Sequence, residues 1–327
     1  MRGRREVLTA AALVLTAAGT RASEDVIAWP RALTMATGSA GGTYAIFGPA
    51  WGAIVAAATH VHLLYRVTRG PIENILLLDR GAADLAMTTL GVAEEAWTGG
   101  GAWTGGARFR TIRALFPLYE TAFHGITTAR SGILSVGALG GRVVGVGPEA
   151  GTGRAYVPRM LRTLGIRVAG FRFASYSALA EALAAGRIDA CLIAAAPPAP
   201  AFRALARRIP LRYFGFSRPE IARLVREIPA LSPTRIPGGT YPGQAVALSC
   251  PGMFNFAICR AALPTSLVYA LTAAVMTNAP RLAERLPLAG EMVARNIALD
   301  RFLPFHPGAA EYFRRVGFAV PGRLVRH

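Results

Sequence analysis

Lysine is absent from this 327-residue chain: all 36 basic side chains are arginine, set against 18 acids for a formal charge of +18. So basic a balance raises nucleic-acid binding, but the arginines are scattered singly or in pairs. No basic run interleaved with aromatics exists to track a phosphate backbone, so nucleic acid is not an expected partner. The excess fits either a coding bias for arginine or a positive field that draws acidic ligands or a membrane surface. Cysteine is scarce as well, and three residues do not make a disulfide framework. Cys250 and Cys259, nine apart, are spaced to close a small loop around Pro251-Gly252, while Cys191 sits in an apolar run as a buried thiol. Small core residues is the ordinary reading of all three. No CxxC, HExxH or paired Cys/His spacing offers a metal site. His60, His62, His306 and His327 have no Ser, Cys or Asp nearby in triad order. Glu94 and Glu95 are adjacent, so on a helix they point apart and make no acid–base pair. Catalysis therefore has no positive signal, and the expectation is a non-enzyme. Long apolar runs are missing after the N-terminus: none reaches the roughly 18 uncharged residues of a membrane span.

What is present is a hydrophobic fraction of 53% with 17% charged residues, enough to bury sizeable cores and too apolar for disorder. The length suits two domains. Residues 1–22 read as an export signal: Arg2, Arg4 and Arg5 precede an apolar stretch from Val7 to Ala18, which ends at Thr20-Arg21-Ala22. The Arg4-Arg5 pair resembles a twin-arginine signal, and a general secretory signal fits the same pattern. The expected mature protein is exported to the periplasm.

The mature chain states one pattern twice. An apolar run breaks into the Gly-rich loop Thr37-Gly38-Ser39-Ala40-Gly41-Gly42-Thr43-Tyr44, and a Gly-x-x-Asp turn follows at Gly81-Ala82-Ala83-Asp84. The second copy runs from Arg142-Val143-Val144 through Gly147 to Gly151-Thr152-Gly153, with its turn at Gly186-Arg187-Ile188-Asp189. Each copy predicts strand, loop, helix, turn, strand, that is, an α/β half with a helix N-terminus at a strand end. Expected helices run from Tyr44 to His60, Ile72 to Arg80, Arg154 to Leu164 and Tyr176 to Ala185, with another opened by Pro264-Thr265-Ser266 and reaching about Asn278. Expected strands cover 33–37, Leu63–Thr68, Leu85–Thr88, Ile112–Tyr119 and Phe123–Thr128. The repeated Ala-Trp-Thr-Gly-Gly of 96–106 reads as a flexible surface loop.

Glycine lets backbone approach a ligand, and a helix start favours a negative group. Ser39, Thr43 and Tyr44 add hydroxyls from the first copy, and Gly151, Thr152 and Gly153 repeat the offer from the second. The glycines around Gly145 and Gly147 have the wrong spacing for a dinucleotide fingerprint, so no cofactor is expected. The runs Ala122–Arg130 and Met253–Arg260 match in character and read as two crossover strands forming a hinge. His124, on the first, is expected to be a packed or hydrogen-bonded core histidine. Arg69, in a turn beside Gly70, reads equally as a carboxylate partner or a solvated surface charge.

Several of these segments in order resemble the TAXI family of solute-binding proteins, the extracytoplasmic receptors of one class of TRAP transporters. They are Thr37 to Tyr44, Gly70-Pro71-Ile72-Glu73-Asn74 with Gly81 to Leu85, Gly151-Thr152-Gly153, Ile236 to Gln244, and Leu303 to Ala309. The resemblance implies a type II periplasmic-binding-protein fold: two α/β lobes joined by two hinge strands, with a ligand cleft between. On that reading, lobe I comprises 30–127 and 255–327, and lobe II comprises 128–254. The implied function is capture of a small organic anion and transient delivery to TRAP membrane subunits. The ligand-facing set it implies is Thr37, Gly38, Ser39, Gly41, Gly42, Thr43, Tyr44, Thr88, Thr89, Gly151, Thr152 and Gly153, and Arg69 joins it from this chain's own residues. Two departures bear on the ligand. Thr88-Thr89-Leu90 stands where the family commonly has Gln-Ser-Asp, and Thr68-Arg69-Gly70-Pro71 where it commonly has Thr-Gly-Gly-Ser. Losing a carboxylate and gaining an arginine point to a carboxylate ligand, a dicarboxylate or oxo acid among them, without an ammonium group. A periplasmic sensor or an enzyme using the same cleft are the competing classes.

Overall fold

The computed structural model describes residues 29–325, so the expected export signal lies outside the described residues. The chain alternates strands and helices. β1 (Ala32–Ala36), α1 (Thr43–Thr59), β2 (His62–Arg66), α2 (Pro71–Asp79), β3 (Leu85–Thr89) and α3 (Leu90–Thr98) form the first group. The long β4 (Ile112–Thr128) leads to β5 (Val143–Gly147), α4 (Thr152–Thr163), β6 (Gly170–Phe173), α5 (Tyr176–Ala184) and β7 (Ala190–Ala195). Then come α6 (Pro200–Leu205), β8 (Leu211–Phe214), α7 (Arg218–Glu227) and β9 (Ser232–Ile236). A second long strand, β10 (Leu248–Arg260), precedes α8 (Thr265–Arg285) and α9 (Pro307–Arg315).

The main path of the sheet has the order β2-β1-β3-β10-β4-β7-β5-β6, with β8 paired to β4 and β9 to β10. β1 pairs parallel with β2 and β3, and β5 pairs parallel with β6 and β7. Each end is thus a parallel α/β half, as helical crossovers between consecutive strands require. β4 and β10 run antiparallel to each other through the centre. Both serve the two ends in turn: β10 meets β9 through Leu248–Gly252 and β3 through Asn255–Cys259. The sequence suggested two strands at 112–119 and 123–128. They are one, because the polar break at Glu120-Thr121 is accommodated within the sheet: the Glu120 carboxylate accepts from Ser232 Oγ at 3.1 Å and Thr234 Oγ1 at 2.5 Å.

The duplicated turn has one structural role in both halves. Asp84 Oδ2 accepts from Thr34 N at 2.8 Å, and Asp189 Oδ2 accepts from Val143 N at 2.7 Å. Each aspartate also donates its own N–H back to that residue's carbonyl. The turn therefore clamps the earlier strand of its half, at the middle of β1 and at the first residue of β5. Gly81 and Gly186 take the left-handed conformation (φ +70° and +66°) that the turn needs.

Two expectations are corrected, and the cysteines follow their ordinary reading as buried thiols. The segment 96–106 is packed rather than free: Trp97 is buried, and Trp103 stacks on Phe109 at 5.5 Å and donates to Glu95 Oε2 at 2.7 Å. Cys250 and Cys259 are both free thiols on β10. Nine strand residues span roughly 30 Å, far beyond disulfide reach. α8 runs on to Arg285 through Pro280, and Pro264 rather than a hydroxyl stands at its N-cap. Among the described residues no helix is long and apolar enough to cross a membrane.

Candidate functional site: a cleft between two helix N-termini

The two ends of the sheet face each other and touch. Ile72 N donates to Ala150 O at 3.0 Å, Ala201 N to Gly41 O at 3.2 Å and Ser177 N to Ala40 O at 3.3 Å. Thr89 and Thr152 share a hydroxyl–hydroxyl bond of 3.0 Å across the gap. Between them lies a cavity of about 40 Å³. Its walls include Ser39, Thr43 and Tyr44 from one end, Thr152 and Tyr176 from the other, and Tyr119 and Thr121 from β4.

How the helices begin is the informative local feature. α5 and α7 start at Ser175 and Ser217, whose side chains accept from the third residue on, the ordinary way to satisfy first-turn amides. α1 and α4, which open onto the cleft, start at Gly42 and Gly151, and no side chain caps either one. Their first-turn N–H groups have no side-chain acceptor, and the positive ends of two helix dipoles lie at the cavity wall. α2 contributes less. Pro71 has no N–H, Ile72 has already donated to Ala150, and Glu73 meets the dipole from within the first turn.

The cavity hydroxyls divide into occupied and unoccupied. Tyr44 Oη donates to Asn255 Oδ1 at 2.6 Å, and Asn255 Nδ2 donates in turn to Tyr119 O and Thr121 Oγ1. Tyr176 Oη donates to Ala194 O at 2.6 Å. Thr43 Oγ1 reaches Ala196 O at 3.5 Å, a marginal bond. Tyr119 Oη and Ser39 Oγ are buried and have no partner in the protein. Burial pushes the Tyr44, Tyr119 and Tyr176 phenols above their usual range, so all three stay neutral donors at physiological pH.

Of the residues expected to face a ligand, the structure brings Gly38, Ser39, Gly42, Thr43, Tyr44, Thr89, Gly151 and Thr152 together around the cavity. The others lie elsewhere. Thr37 Oγ1 bonds Arg66 O, and Thr37 O accepts from Asn74 Nδ2, which also holds Met87 O. Thr88, on the opposite face of β3 from Thr89, bonds the Thr89 carbonyl. Gly41 (φ +76°) carries a close approach between the two ends of the sheet rather than the cavity wall. Gly153 lets α4 lie against β5, since a Cβ there would meet Val146 O at 1.9 Å. Arg69 points to solvent and pairs with Glu73 at 3.0 Å, the surface-charge alternative of the sequence reading.

Tyr119, Thr121, Tyr176, Pro71, Pro148 and Ala194–Ala196 complete the wall and were not legible as site residues. The signal for the alanines was their place at the end of β7, the copy of the β3 end that carries Thr89. His124 is structural. Its Nδ1 faces Ala122 O at 3.0 Å, so that nitrogen carries the proton and Nε2 accepts from Tyr241 Oη at 2.7 Å. Tyr241 Oη also accepts from Ala199 N. Burial lowers the His124 pKa to about 4, so this chain of bonds stays neutral.

The fold has solved counterparts. One is the periplasmic binding protein BugD, 11% identical, with 89% of this chain and 99% of that one aligned and a TM-score of 0.56. A second is the alkanesulfonate-binding protein SsuA from Xanthomonas axonopodis pv. citri bound to MOPS, 14% identical, covering 88% and 84%, with a TM-score of 0.51. A third is a putative L-cystine ABC transporter from Listeria monocytogenes, 10% identical, covering 81% and 99%, also at 0.51. At such identities the likeness speaks to the fold, which is the type II periplasmic-binding-protein fold: two α/β lobes with a cleft between. The sequence itself matches the model of the NMT1-like family over residues 35–317, most of its length, and the chain belongs to that family.

Proposed function

We propose that this protein is an extracytoplasmic solute receptor that binds a small organic anion in the cleft and delivers it to TRAP membrane subunits. The observation that carries the reading is the pair of glycine-started, uncapped helices, α1 and α4, that begin on opposite sides of one cleft cavity. Membership of the NMT1-like family and the fold of the solved counterparts support it. The resemblance in motif order to TAXI receptors supports the TRAP partner. The lobes take 30–127 with 255–327, and 128–254, after export directed by 1–22 to the periplasm. Closure about β4 and β10 brings the two helix ends onto the ligand.

Binding fits the cleft better than catalysis. The titratable groups on its wall are buried phenols held neutral, and a general base requires a group poised near the working pH. The test is a thermal-shift screen of the mature protein, unfolded and refolded to strip any retained ligand. Carboxylates, sulfonates, amino acids and phosphates form the panel. A ligand at a hundred times its dissociation constant adds about 2.7 kcal/mol, or roughly 5–10 °C. A shift confined to oxyanions supports the receptor, and reading frames for TRAP subunits beside the gene support the partner. A hydrolysed or otherwise transformed ligand overturns the reading in favour of an enzyme.

A further inference from the structure

Taking the cleft as the receptor's ligand site, we propose that it selects a small oxyanion with a single negative charge and no ammonium group. The hydroxyls of Tyr119 and Ser39 serve as ligand donors. Three observations converge. First, none of the described residues on the cavity wall carries a formal charge; the donors are amides and hydroxyls. Each helix N-terminus behaves as roughly half a positive charge, so α1, α4 and α3, whose N-cap Thr89 makes no capping bond and is also on the wall, together offset less than two negative charges. A dicarboxylate would find no cation on the wall for its second charge, and Arg69, the cation nearest in sequence, faces solvent against Glu73. An amino acid would bring an ammonium to a wall that has no carboxylate.

Second, two polar side chains that are more than nine-tenths buried lack any protein partner on this wall: Tyr119 at 0% exposure and Ser39 at 8%. Buried hydroxyls are nearly always bonded, so an orphaned pair beside two uncapped helix ends marks where ligand oxygens go. Their neighbours Tyr44 and Tyr176 spend their protons on Asn255 and Ala194, which leaves Tyr119 and Ser39 as the wall hydroxyls with no protein partner of either kind. Third, the cavity volume of about 40 Å³ has room for roughly three water-sized groups. Pro71, Pro148 and Ala194–Ala196 supply an apolar wall for a short tail. Carboxylate and sulfonate heads share the chemistry described, and the experiment separates them.

The experiment is isothermal titration of the refolded mature protein with propionate, methanesulfonate, succinate and glutamate. Tyr119→Phe and Ser39→Ala are titrated alongside. One of the two monoanions is expected to bind at least tenfold more tightly than succinate or glutamate, and which one it is identifies the head group. Tyr119→Phe is expected to weaken that monoanion five- to tenfold while the ligand-free melting temperature stays level or rises, because the change removes an unpartnered hydroxyl. Ser39→Ala is expected to behave alike. Tighter binding of succinate or glutamate overturns the single-charge selection and leaves the receptor reading standing. Wild-type affinity in both variants overturns the two donors. Silence toward every oxyanion of the panel overturns the receptor reading together with this one.

Discussion

Gly41 offers a way to separate closure of the lobes from stability of the fold. Its backbone is left-handed, and a Cβ built on it would lie 2.5 Å from Ser177 Oγ, 2.7 Å from Ala201 Cβ and 3.0 Å from Ser177 N. Ser177 Oγ can rotate aside, but the other two atoms belong to Ala201 and to backbone, and both residues come from the far side of the cleft. Gly41→Ala thus carries two costs. The left-handed conformation costs about 1–2 kcal/mol whether the cleft is open or shut. The overlap costs about 1–3 kcal/mol and exists only when the cleft is shut. Gly186→Ala is the matched control: its φ is +66°, and nothing lies within 4 Å of the added methyl. Both variants should lose a similar few degrees of melting temperature. Only Gly41→Ala should lose ligand affinity, by roughly 5- to 150-fold, since each 1.4 kcal/mol is tenfold. Calorimetry with the best oxyanion of the screen gives the affinities, and small-angle scattering with and without it gives the compaction. Equal affinity loss in both variants, or unchanged affinity and compaction in Gly41→Ala, would refute the reasoning.

Two further outcomes are expected. Burial raises the Glu291 carboxyl to about 7, and its closest polar contact is the Glu120 N–H at 2.7 Å. An acid whose pKa is higher folded than unfolded stabilises the fold in its protonated form, so stability falls as pH rises from about 4.5 through 7. Glu291→Gln should remove that slope, and its advantage over the parent in urea unfolding should grow by about 2–3 kcal/mol between pH 5 and pH 8; an advantage independent of pH would contradict the assignment. The duplicated turns should differ in cost. Asp84 accepts from Arg260 at 2.7 Å in a half-buried pair, whereas Asp189 meets Arg142 at 3.8 Å in a more exposed one. Asp84→Asn should therefore destabilise by about 1 kcal/mol more than Asp189→Asn in denaturant unfolding.

Much of the fold was legible because it rests on local chemistry stated twice. The strand–loop–helix pattern, the left-handed glycine and the clamping aspartate fall within some 50 residues of each other in each half, so spacing alone exposed them. The cavity was legible only where it borrows that local chemistry, at Ser39, Thr43, Tyr44, Thr89 and Thr152. Tyr119 and Tyr176 were hidden because an apolar run containing one tyrosine looks the same whether its hydroxyl meets a ligand or a carbonyl. Arg69 was open in the sequence between a carboxylate partner and a solvated charge, and what the sequence did not show was its pairing with Glu73 four residues on, at the exposed start of α2. The crossover strands were visible as similar runs, but that Ile112–Tyr119 and Phe123–Thr128 form one strand depended on Ser232 and Thr234 receiving Glu120, more than 100 residues away.

The sheet order carries a consequence for how the protein is made. β10 lies between β3 and β4, yet its residues are synthesised some 120 positions after the end of β4. Until Leu248–Arg260 has emerged, the facing edges of β3 and β4 are open, apolar and unpaired, the state most inclined to join edges of other chains. The parallel strands of each half, β1 to β3 and then β5 to β7, follow one another directly and can pair before that. A nascent chain therefore closes the gap between its halves last, and shortening it from the C-terminal end past β10 should raise its tendency to aggregate.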